Sequence, residues 1–286
     1  MAFDAESLGL KAGPIALLRD LIRDRLGVHY ADDRLDSLAD RLAPLVAERG
    51  FGSFLDYFYL LKYDPLSEDE WDRVMDTLSV GETYFWREMD QMHAVVSDIL
   101  PGLARQANRP ITFWSVPCAS GEEPLTLAML LDSAGWFDRA PIEIYAGDAS
   151  PAALARARTG RYRQRSFRSL PATYHERYFQ RCADGWQVDP ALQARVRRWQ
   201  QVNLMDESDL AAIGSAHVVF CRNVFIYFSD DGVRRVVNAL ADAMPMPGYL
   251  CVGASESLLR VTHRFELEEV AGAFVYVKRG VPPKGH

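Results

Sequence analysis

The chain has 286 residues, of which 49% are hydrophobic and 25% are charged, and its net charge is −7. This composition excludes a disordered chain and suits one large domain with a smaller one. The net acidity argues against a protein that wraps nucleic acid, because phosphate binding usually requires a basic surface. The four cysteines form no CxxC pair, so we expect neither a disulfide framework nor a metal site.

The sequence shows no sign of a membrane span or a signal peptide. No apolar run approaches the roughly 20 residues that a membrane span needs. The first residues, MAFDAESLGLKAG, lack the charged and then apolar layout of a secretory signal. We therefore expect a cytoplasmic protein that does not insert into a membrane.

The first third of the chain is predicted to be helical. Its apolar residues recur at helical spacing, for example at Leu17, Leu18, Leu21 and Ile22. We interpret residues 1–105 as an all-α N-terminal domain, followed by a polar linker that extends to residue 110.

Residues 111–280 alternate short apolar runs with helical segments, which predicts an α/β domain with a mostly parallel sheet. A polar, arginine-rich segment at about 160–200 fits neither a strand of that sheet nor a crossover helix, so we predict an inserted subdomain there. The tail, residues 281–286, is expected to be disordered. The predicted strands are Ile111 to Cys118, Ile142 to Asp148, His217 to Asn223, Tyr249 to Gly253, Phe265 to Val270 and Ala273 to Lys278.

Two adjacent carboxylates follow the first predicted strand. The sequence there reads CASGEEP, with Glu122 and Glu123 after the single glycine Gly121, where a dinucleotide-binding fold would show GxGxxG. These charges would repel a pyrophosphate and would attract an ammonium or a sulfonium group. The alternative is that both glutamates only favour a helix N-terminus.

The second predicted strand ends in another acid, Asp148. An acid at this place commonly holds ribose hydroxyls. Glutamates after the first strand and an aspartate after the second fit S-adenosylmethionine better than NAD, because S-adenosylmethionine carries a ribose, an amino acid and a sulfonium but no phosphate. The alternative is a turn or helix cap before Ser150 and Pro151.

Polar residues interrupt the third predicted strand. Arg222 and Asn223 stand inside the apolar run VVFCRNVFIYF, so they either point into a site or are buried groups that the backbone satisfies. Methyltransferases that act on nucleobase amines typically carry an Asn/Asp-Pro-Pro-aromatic motif here, and this chain does not. An arginine instead indicates an anionic acceptor.

Six blocks in order give the chain a family resemblance. The sequence resembles the CheR-type chemotaxis receptor methyltransferases, which are protein-glutamate O-methyltransferases, from about Ala16 to Arg279. The blocks are TLSVGETYFWR (77–87), FWSVPCASGEEP (113–124), YAGD (145–148), NL (203–204), FCRNVFIYF (220–228) and GYLCVGASES (248–257).

The resemblance implies a fold and a set of site residues. The implied fold is a class I, Rossmann-like methyltransferase domain with a small inserted β-subdomain, preceded by an all-α domain. Asp148 would hold the ribose, Glu123 the cofactor's amino group and Arg87 its carboxylate. Arg222 and Tyr227 would receive the substrate glutamate; without the resemblance, Tyr227 is better explained as a core aromatic. The implied cofactor-binding set is Gly81, Thr83, Arg87, Gly121, Glu123, Asp148, Asn203, Leu204, Arg222 and Asn223.

The resemblance implies transfer of a methyl group from S-adenosylmethionine to receptor glutamates, which gives methyl esters and S-adenosylhomocysteine. The partner would be the cytoplasmic helical bundle of methyl-accepting chemoreceptors. Two alternatives remain: a non-catalytic sensor of S-adenosylmethionine or S-adenosylhomocysteine, and a methyltransferase for another protein or carboxylate.

Some positions depart from the family pattern. The family usually has Asn at Gly81, Tyr-Ser at Leu125-Thr126 and often His at Ala254. Loss of one hydrogen bond costs about 1 kcal/mol, so these changes would weaken cofactor binding without abolishing it. The stretch Arg181 to Trp186 lacks the glycine-rich loop of members that dock on a receptor's C-terminal pentapeptide. We therefore predict that a pentapeptide tether is not required.

The predicted insertion is also basic. Four arginines, Arg161, Arg163, Arg165 and Arg168, are interleaved with aromatic residues. They either meet an acidic region of a receptor or form a solvated face. RNA binding is disfavoured by the net acidity and by the missing nucleobase motif.

Overall fold

The computed structural model of the chain describes residues 12–279, so the predicted disordered tail lies outside the described residues. Between residues 12 and 279, no helix is both long and apolar enough to cross a bilayer. The α-helices are α1 Ala12–Leu26, α2 Leu35–Glu48, α3 Phe54–Tyr63, α4 Glu68–Leu78, α5 Met89–Ala94, α6 Leu100–Gln106, α7 Glu122–Ser133, α8 Trp136–Arg139, α9 Pro151–Thr159, α10 Ala172–Tyr178, α11 Pro190–Gln193, α12 Glu207–Gly214 and α13 Asp230–Ala243. The strands are β1 Ile111–Ser115, β2 Ile142–Asp148, β3 Arg161–Tyr162, β4 Phe179–Cys182, β5 Gly185–Val188, β6 Val196–Gln201, β7 Val218–Phe220, β8 Gly248–Cys251, β9 Glu266–Val270 and β10 Ala273–Lys278.

Helices α1 to α4 form a helical unit with its own hydrophobic core. Leu18 and Ile22, on the predicted apolar stripe, are fully buried, whereas Leu17 is half exposed. At the centre of this unit, the buried Glu70 carboxylate accepts hydrogen bonds from the Tyr57 hydroxyl at 2.7 Å and from Arg49 Nε at 2.6 Å. Burial of a carboxylate is costly, and these two donors offset the cost.

The segment from α5 to α6 packs with the sheet rather than with this helical unit. Its buried side chains, among them Met92, Val95 and Leu100, belong to the same hydrophobic cluster as Phe113 of β1. The core of the helical unit ends at Leu78. The packing therefore contradicts a boundary at residue 105, and we propose that the boundary lies close to residue 80.

The central sheet has seven strands in the order β6-β2-β1-β7-β8-β10-β9. The pairs from β6 to β8 are parallel, and the hairpin of β9 and β10 closes the sheet with antiparallel pairing. The chain moves from β1 outward to β2 and β6 and then returns to the other side of β1 with β7. This reversal places the ligand-binding edge of the sheet between β1 and β7, as in other doubly wound sheets.

Both faces of the sheet are covered. Successive residues of a strand point to opposite faces, so Phe113 packs in one hydrophobic cluster and Trp114 in the other. Strands β1 and β7 are therefore apolar on both sides, which explains their continuous hydrophobic runs. Polar groups on these strands collect where each strand ends.

The predicted insertion is a three-stranded sheet in the order β3-β5-β4. We predicted that it extends to about residue 200, and this limit is wrong, because β6 (196–201) pairs in parallel with β2. The sequence of β6, VRRWQQ, is polar because the strand lies at the edge of the large sheet and is largely exposed on its outer side.

Candidate functional site

A cavity of about 470 Å³ opens at the carboxyl ends of β1, β2 and β7, and we call it the central cavity. The helical unit forms one wall of it, through side chains such as Tyr30, Arg41 and Val80. Its volume is in the usual range for a pocket that binds a small molecule. The predicted site residues that line it are Gly81, Thr83, Arg87, Glu123, Asp148, Asn203, Leu204, Arg222, Asn223 and Tyr227.

Gly121 is the predicted site residue that does not line the central cavity. It precedes α7 with φ +94°, a conformation that glycine adopts without strain. A Cβ atom at this position would lie 3.0 Å from the Trp199 ring and 3.1 Å from the Tyr162 hydroxyl. We conclude that Gly121 shapes the turn that leads into α7, and its place in the cofactor-binding set stays a prediction.

The two neighbouring glutamates of α7 have different surroundings. Glu122 is buried away from the central cavity and accepts hydrogen bonds from Ser120 Oγ at 2.7 Å and Ser166 Oγ at 2.9 Å. Glu123 lines the cavity and accepts from Ser115 Oγ at 2.7 Å. Burial raises the pKa of both carboxyls above the ordinary value, so a bound cation would offset the cost of ionising Glu123.

Asp148 ends β2 and is 6% exposed. Its carboxylate accepts hydrogen bonds from Ala119 N–H at 2.8 Å and from Ser150 N–H at 2.9 Å. Burial raises its pKa, and the two backbone N–H groups partly oppose that rise. One oxygen of Asp148 forms the turn with Ser150 N–H, as the alternative interpretation expected. Each oxygen still has a lone pair that can accept a hydrogen bond from a hydroxyl group in the cavity.

Arg222 follows β7, and its side chain is 1% exposed. Its Nη2 donates to the Arg87 carbonyl at 2.9 Å and lies 3.4 Å from Glu88 Oε2, and its Nε lies 3.5 Å from Glu123 Oε2. Among the described residues, Nε and Nη1 have no hydrogen-bond partner. Buried polar groups rarely stay unsatisfied, so these N–H groups indicate a missing acceptor of negative charge.

One carboxylate holds the segment that follows Arg222. Glu256 accepts four backbone N–H groups, from Gly253 at 2.6 Å, Phe225 at 2.7 Å, Asn223 at 2.8 Å and Ile226 at 3.3 Å. Asn223 has φ +59°, which tightens the turn at this point. The result is a fixed loop that carries Asn223 and Tyr227 at the cavity.

The helical unit is bonded directly to residues of the site. Asn203 Nδ2 donates to the Arg25 carbonyl at 2.8 Å, and His29 N–H donates to the Tyr227 carbonyl at 2.8 Å. Val28 and Phe228 form an antiparallel bridge next to the hydrogen bond between His29 and Tyr227. The two folded units therefore share the cavity wall, and the position of Tyr227 depends on the chain between α1 and α2.

Sequence reasoning missed several residues of the site region. Arg41 and Tyr30 line the central cavity from the helical unit, and no local pattern marks a residue that reaches a distant sheet. Glu88 contacts Arg222, and Glu256 contacts the loop that follows β7; both glutamates lie outside the lining of the cavity. Glu256 lies in the block GYLCVGASES, which marked this part of the sequence, but the block alone assigns no role to its carboxylate.

The four positions that depart from the family pattern have different locations. Gly81 is exposed at the cavity, and a Cβ there would meet nothing closer than Arg156 at 3.9 Å. Leu125 is fully buried in the core and does not line the cavity. Ala254 N–H donates to Glu88 at 3.1 Å, a bond that any residue other than proline can make. Of the four, Gly81 and Thr126 line the central cavity.

In the arginine-rich insertion, the aromatic residues are buried and the arginines are exposed. Tyr162 and Phe167 are buried in an aromatic cluster with Phe85 and Phe179, so they are not available for stacking on bases. The four arginines are exposed, and Arg168 pairs with Glu82 at 3.0 Å. This arrangement fits a solvated basic face over an aromatic core.

The central cavity combines carboxylates for cations and hydroxyls with a guanidinium for an anion. Its wall includes Asp148, Glu123, Asn203 and Leu204, and Arg222 lies next to Glu123. A phosphate would face the carboxylates of Asp148 and Glu123. The arrangement suits a ligand with a ribose and an amino acid group, such as S-adenosylmethionine, together with a second, anionic molecule.

Comparisons with known proteins agree with this interpretation. The family model described as "CheR methyltransferase, SAM binding domain" matches residues 81–274, and the one described as "CheR methyltransferase, all-alpha domain" matches residues 14–79. The chain is 32% identical to chemotaxis protein methyltransferase 2 of Vibrio cholerae over 93% of this chain and 92% of the relative. It is 27% identical to chemotaxis protein methyltransferase 1 of Pseudomonas aeruginosa over 91% and 96%. The chain belongs to the CheR family of S-adenosylmethionine-dependent methyltransferases.

Proposed function

We propose that this methyltransferase acts on glutamate side chains in the cytoplasmic helical bundle of methyl-accepting chemoreceptors. The observation that carries the proposal is Arg222, a buried guanidinium with two N–H groups that lack a partner among the described residues. A carboxylate matches a guanidinium in charge and in planar geometry. Relatives named chemotaxis protein methyltransferases favour a receptor carboxylate over other acids.

The residues of the central cavity fit S-adenosylmethionine. Asp148 would accept the ribose hydroxyls, because its two backbone bonds leave lone pairs free. Glu123 would hold the amino group, and Arg87 the carboxylate. Asn203 and Leu204 would border the adenine. Together these assignments place an oppositely charged residue beside each charged end of the methionine group, as the sequence resemblance implied.

Positioning is the chain's contribution to the reaction. When bound, S-adenosylmethionine supplies a methyl group on a positively charged sulfur, which an ionised carboxylate can accept. A glutamate with an ordinary pKa of about 4.3 is already ionised at neutral pH, so no general base is required. Arg222 would hold the acceptor carboxylate, and the Tyr227 hydroxyl would donate a hydrogen bond to it. Correct alignment of the reacting atoms can lower the barrier by several kcal/mol.

The structure of the insertion supports a mode of docking without a pentapeptide tether. Strands β4 and β5 are joined by two residues, Ala183 and Asp184, so the hairpin has no long loop. Gly185 follows with φ +147°, and a Cβ there would lie 2.2 Å from the Tyr162 carbonyl oxygen. The absence of a side chain at Gly185 therefore allows the hairpin to pack closely against β3. We expect equal activity on receptors with and without a C-terminal pentapeptide, and strict dependence on that tail would contradict this part of the proposal.

The first test is transfer from methyl-labelled S-adenosylmethionine to receptor-containing membranes. Mild base hydrolyses a carboxyl methyl ester, so label on receptor bands should be released as volatile methanol. An Asp148→Ala variant should give little label. A Glu143→Gln variant, altered near the start of β2 at the end remote from the cavity, should behave as the wild type. We also expect the activity in the cytoplasm, as predicted from the sequence.

Two results would contradict the proposal. Cofactor binding without transfer to any receptor would support a non-catalytic sensor. Label that is stable to base, or that appears on other proteins, would support a different acceptor. Binding of S-adenosylhomocysteine, measured by isothermal titration, distinguishes a folded enzyme with the wrong substrate from an inactive preparation.

A further inference from the structure

Glu88 is a charged residue next to the site that does not line the central cavity. Its backbone has φ +48°, an uncommon conformation for a residue with a side chain. Its carboxylate lies 3.4 Å from Arg222 Nη2 and 3.4 Å from Arg87 Nε. It also accepts hydrogen bonds from Asn223 Nδ2 at 3.3 Å and Ala254 N–H at 3.1 Å. Four groups therefore hold this carboxylate behind the arginine.

Two carboxylates lie close to Arg222. Glu88 Oε2 lies 3.4 Å from Nη2, and Glu123 Oε2 lies 3.5 Å from Nε. Both contacts are longer than a normal charge-assisted hydrogen bond, and within residues 12–279 neither Nε nor Nη1 has a hydrogen-bond partner. In the protein interior, charges at this distance interact strongly. The two carboxylates therefore lower the net attraction of Arg222 for a third anion.

An acceptor carboxylate loses its charge during methyl transfer, because the product is a neutral ester. A guanidinium that binds this carboxylate strongly stabilises the starting state more than the transition state, and so slows the reaction. The site thus needs an arginine that aligns the acceptor without binding it too tightly.

We propose that Glu88 is a positioning residue that weakens the hold of Arg222 on the acceptor carboxylate. The inference rests on the proposed function, because it requires an anionic acceptor at Arg222. Glu88 acts through the arginine and makes no contact with the acceptor. Its four contacts keep its charge at a fixed distance from Nη2 while Nε and Nη1 remain free for the acceptor.

The test is a Glu88→Gln variant, which removes the charge and keeps the size of the side chain. We expect tighter equilibrium binding of the receptor in the presence of S-adenosylhomocysteine, with a Kd lower on the order of fivefold. We also expect a lower KM for the receptor together with a lower kcat. Without the Glu88 charge, Arg222 stabilises the bound acceptor carboxylate more than the transition state, so binding tightens and the reaction slows. Glu88 also pairs with Arg87, which would hold the cofactor's carboxylate, so S-adenosylhomocysteine alone should bind more tightly as well. The receptor Kd is therefore measured at saturating S-adenosylhomocysteine.

Two further variants make the test specific. Glu88→Asp keeps the charge but withdraws it by one methylene group, so its values should lie between those of the wild type and Glu88→Gln. It also serves as the test if Glu88→Gln does not fold. Glu143→Gln removes a carboxylate that pairs with Arg197 elsewhere on the protein, and it should leave binding and turnover unchanged.

Three results would overturn the inference. A Kd for the receptor that is unchanged or higher, with a lower kcat, would mean that Glu88 only supports the fold of the loop. Tighter binding of S-adenosylhomocysteine with an unchanged Kd for the receptor would mean that Glu88 acts on the cofactor's carboxylate through Arg87 and not on the acceptor. Failure of the wild type to bind or methylate receptors would refute the proposed function, and the inference with it.

Discussion

Replacement of Glu256 by Gln removes the charge that organises the loop after β7. The carboxylate accepts three short backbone hydrogen bonds, of 2.6, 2.7 and 2.8 Å, and a longer one of 3.3 Å. An amide keeps one oxygen as an acceptor, and its NH2 group would face N–H donors. At least two backbone N–H groups would then lose their partner.

The expected cost follows from those bonds. A hydrogen bond to a charged group contributes about 1.5–3 kcal/mol, and a buried donor without a partner costs a similar amount. Because the loop is partly exposed and water can replace some of the loss, we expect the free energy of unfolding to fall by about 3 kcal/mol. For a chain of this size, that corresponds to a decrease in Tm of about 5 °C.

Thermal unfolding of Glu256→Gln beside Glu268→Gln tests the reasoning. Glu268 pairs with Arg279 on the surface at 2.6 Å, and loss of such an exposed pair changes stability by only about 0–1 kcal/mol. Turnover of Glu256→Gln should also fall, because the loop carries Asn223 and Tyr227. A decrease in Tm of less than about 2 °C relative to the wild type would refute the role assigned to Glu256.

Three further predictions concern the site and the helical unit. Tyr227→Phe should lower kcat more than it weakens cofactor binding, and Asp148→Ala should do the reverse; turnover assays beside isothermal titration would reveal the opposite order. Because burial raises the pKa of Asp148 and of Glu123, affinity for S-adenosylhomocysteine should fall as the pH is lowered from about 7 to 5, and a flat titration profile would contradict this. Burial alone would raise the pKa of Glu70, but the hydrogen bonds from the Tyr57 hydroxyl and from Arg49 have the larger effect, so the pKa of Glu70 lies below its ordinary value. Its stabilising effect is therefore present at neutral pH and lost as the pH falls below the ordinary carboxyl range, so Glu70→Gln should show a shallower acid denaturation profile.

The sequence predicted much of the fold because apolar periodicity reports local burial. Strands β2 and β10 begin and end as predicted, and the strand-end residues Asp148 and Arg222 lie at one edge of the sheet because parallel strands share their direction. Strand β6 was missed, since an exposed edge strand carries polar residues and lacks the apolar signal. Strand β1 ends at Ser115, three residues earlier than predicted, because the next residues turn toward the cavity.

The sequence alone determined the kind of ligand, and the tertiary structure decided which residues can meet it. Acids after two strands and an arginine after a third indicate a cation with hydroxyls and an anion, whatever the exact packing. Glu122 and Glu123 are neighbours in sequence, but successive residues of a helix point about 100° apart, so one lines the cavity and the other anchors the insertion. Glu88 and Glu256 reach Arg222 and its loop across long sequence separations, and such contacts arise only when the sheet and the segments around it have packed together.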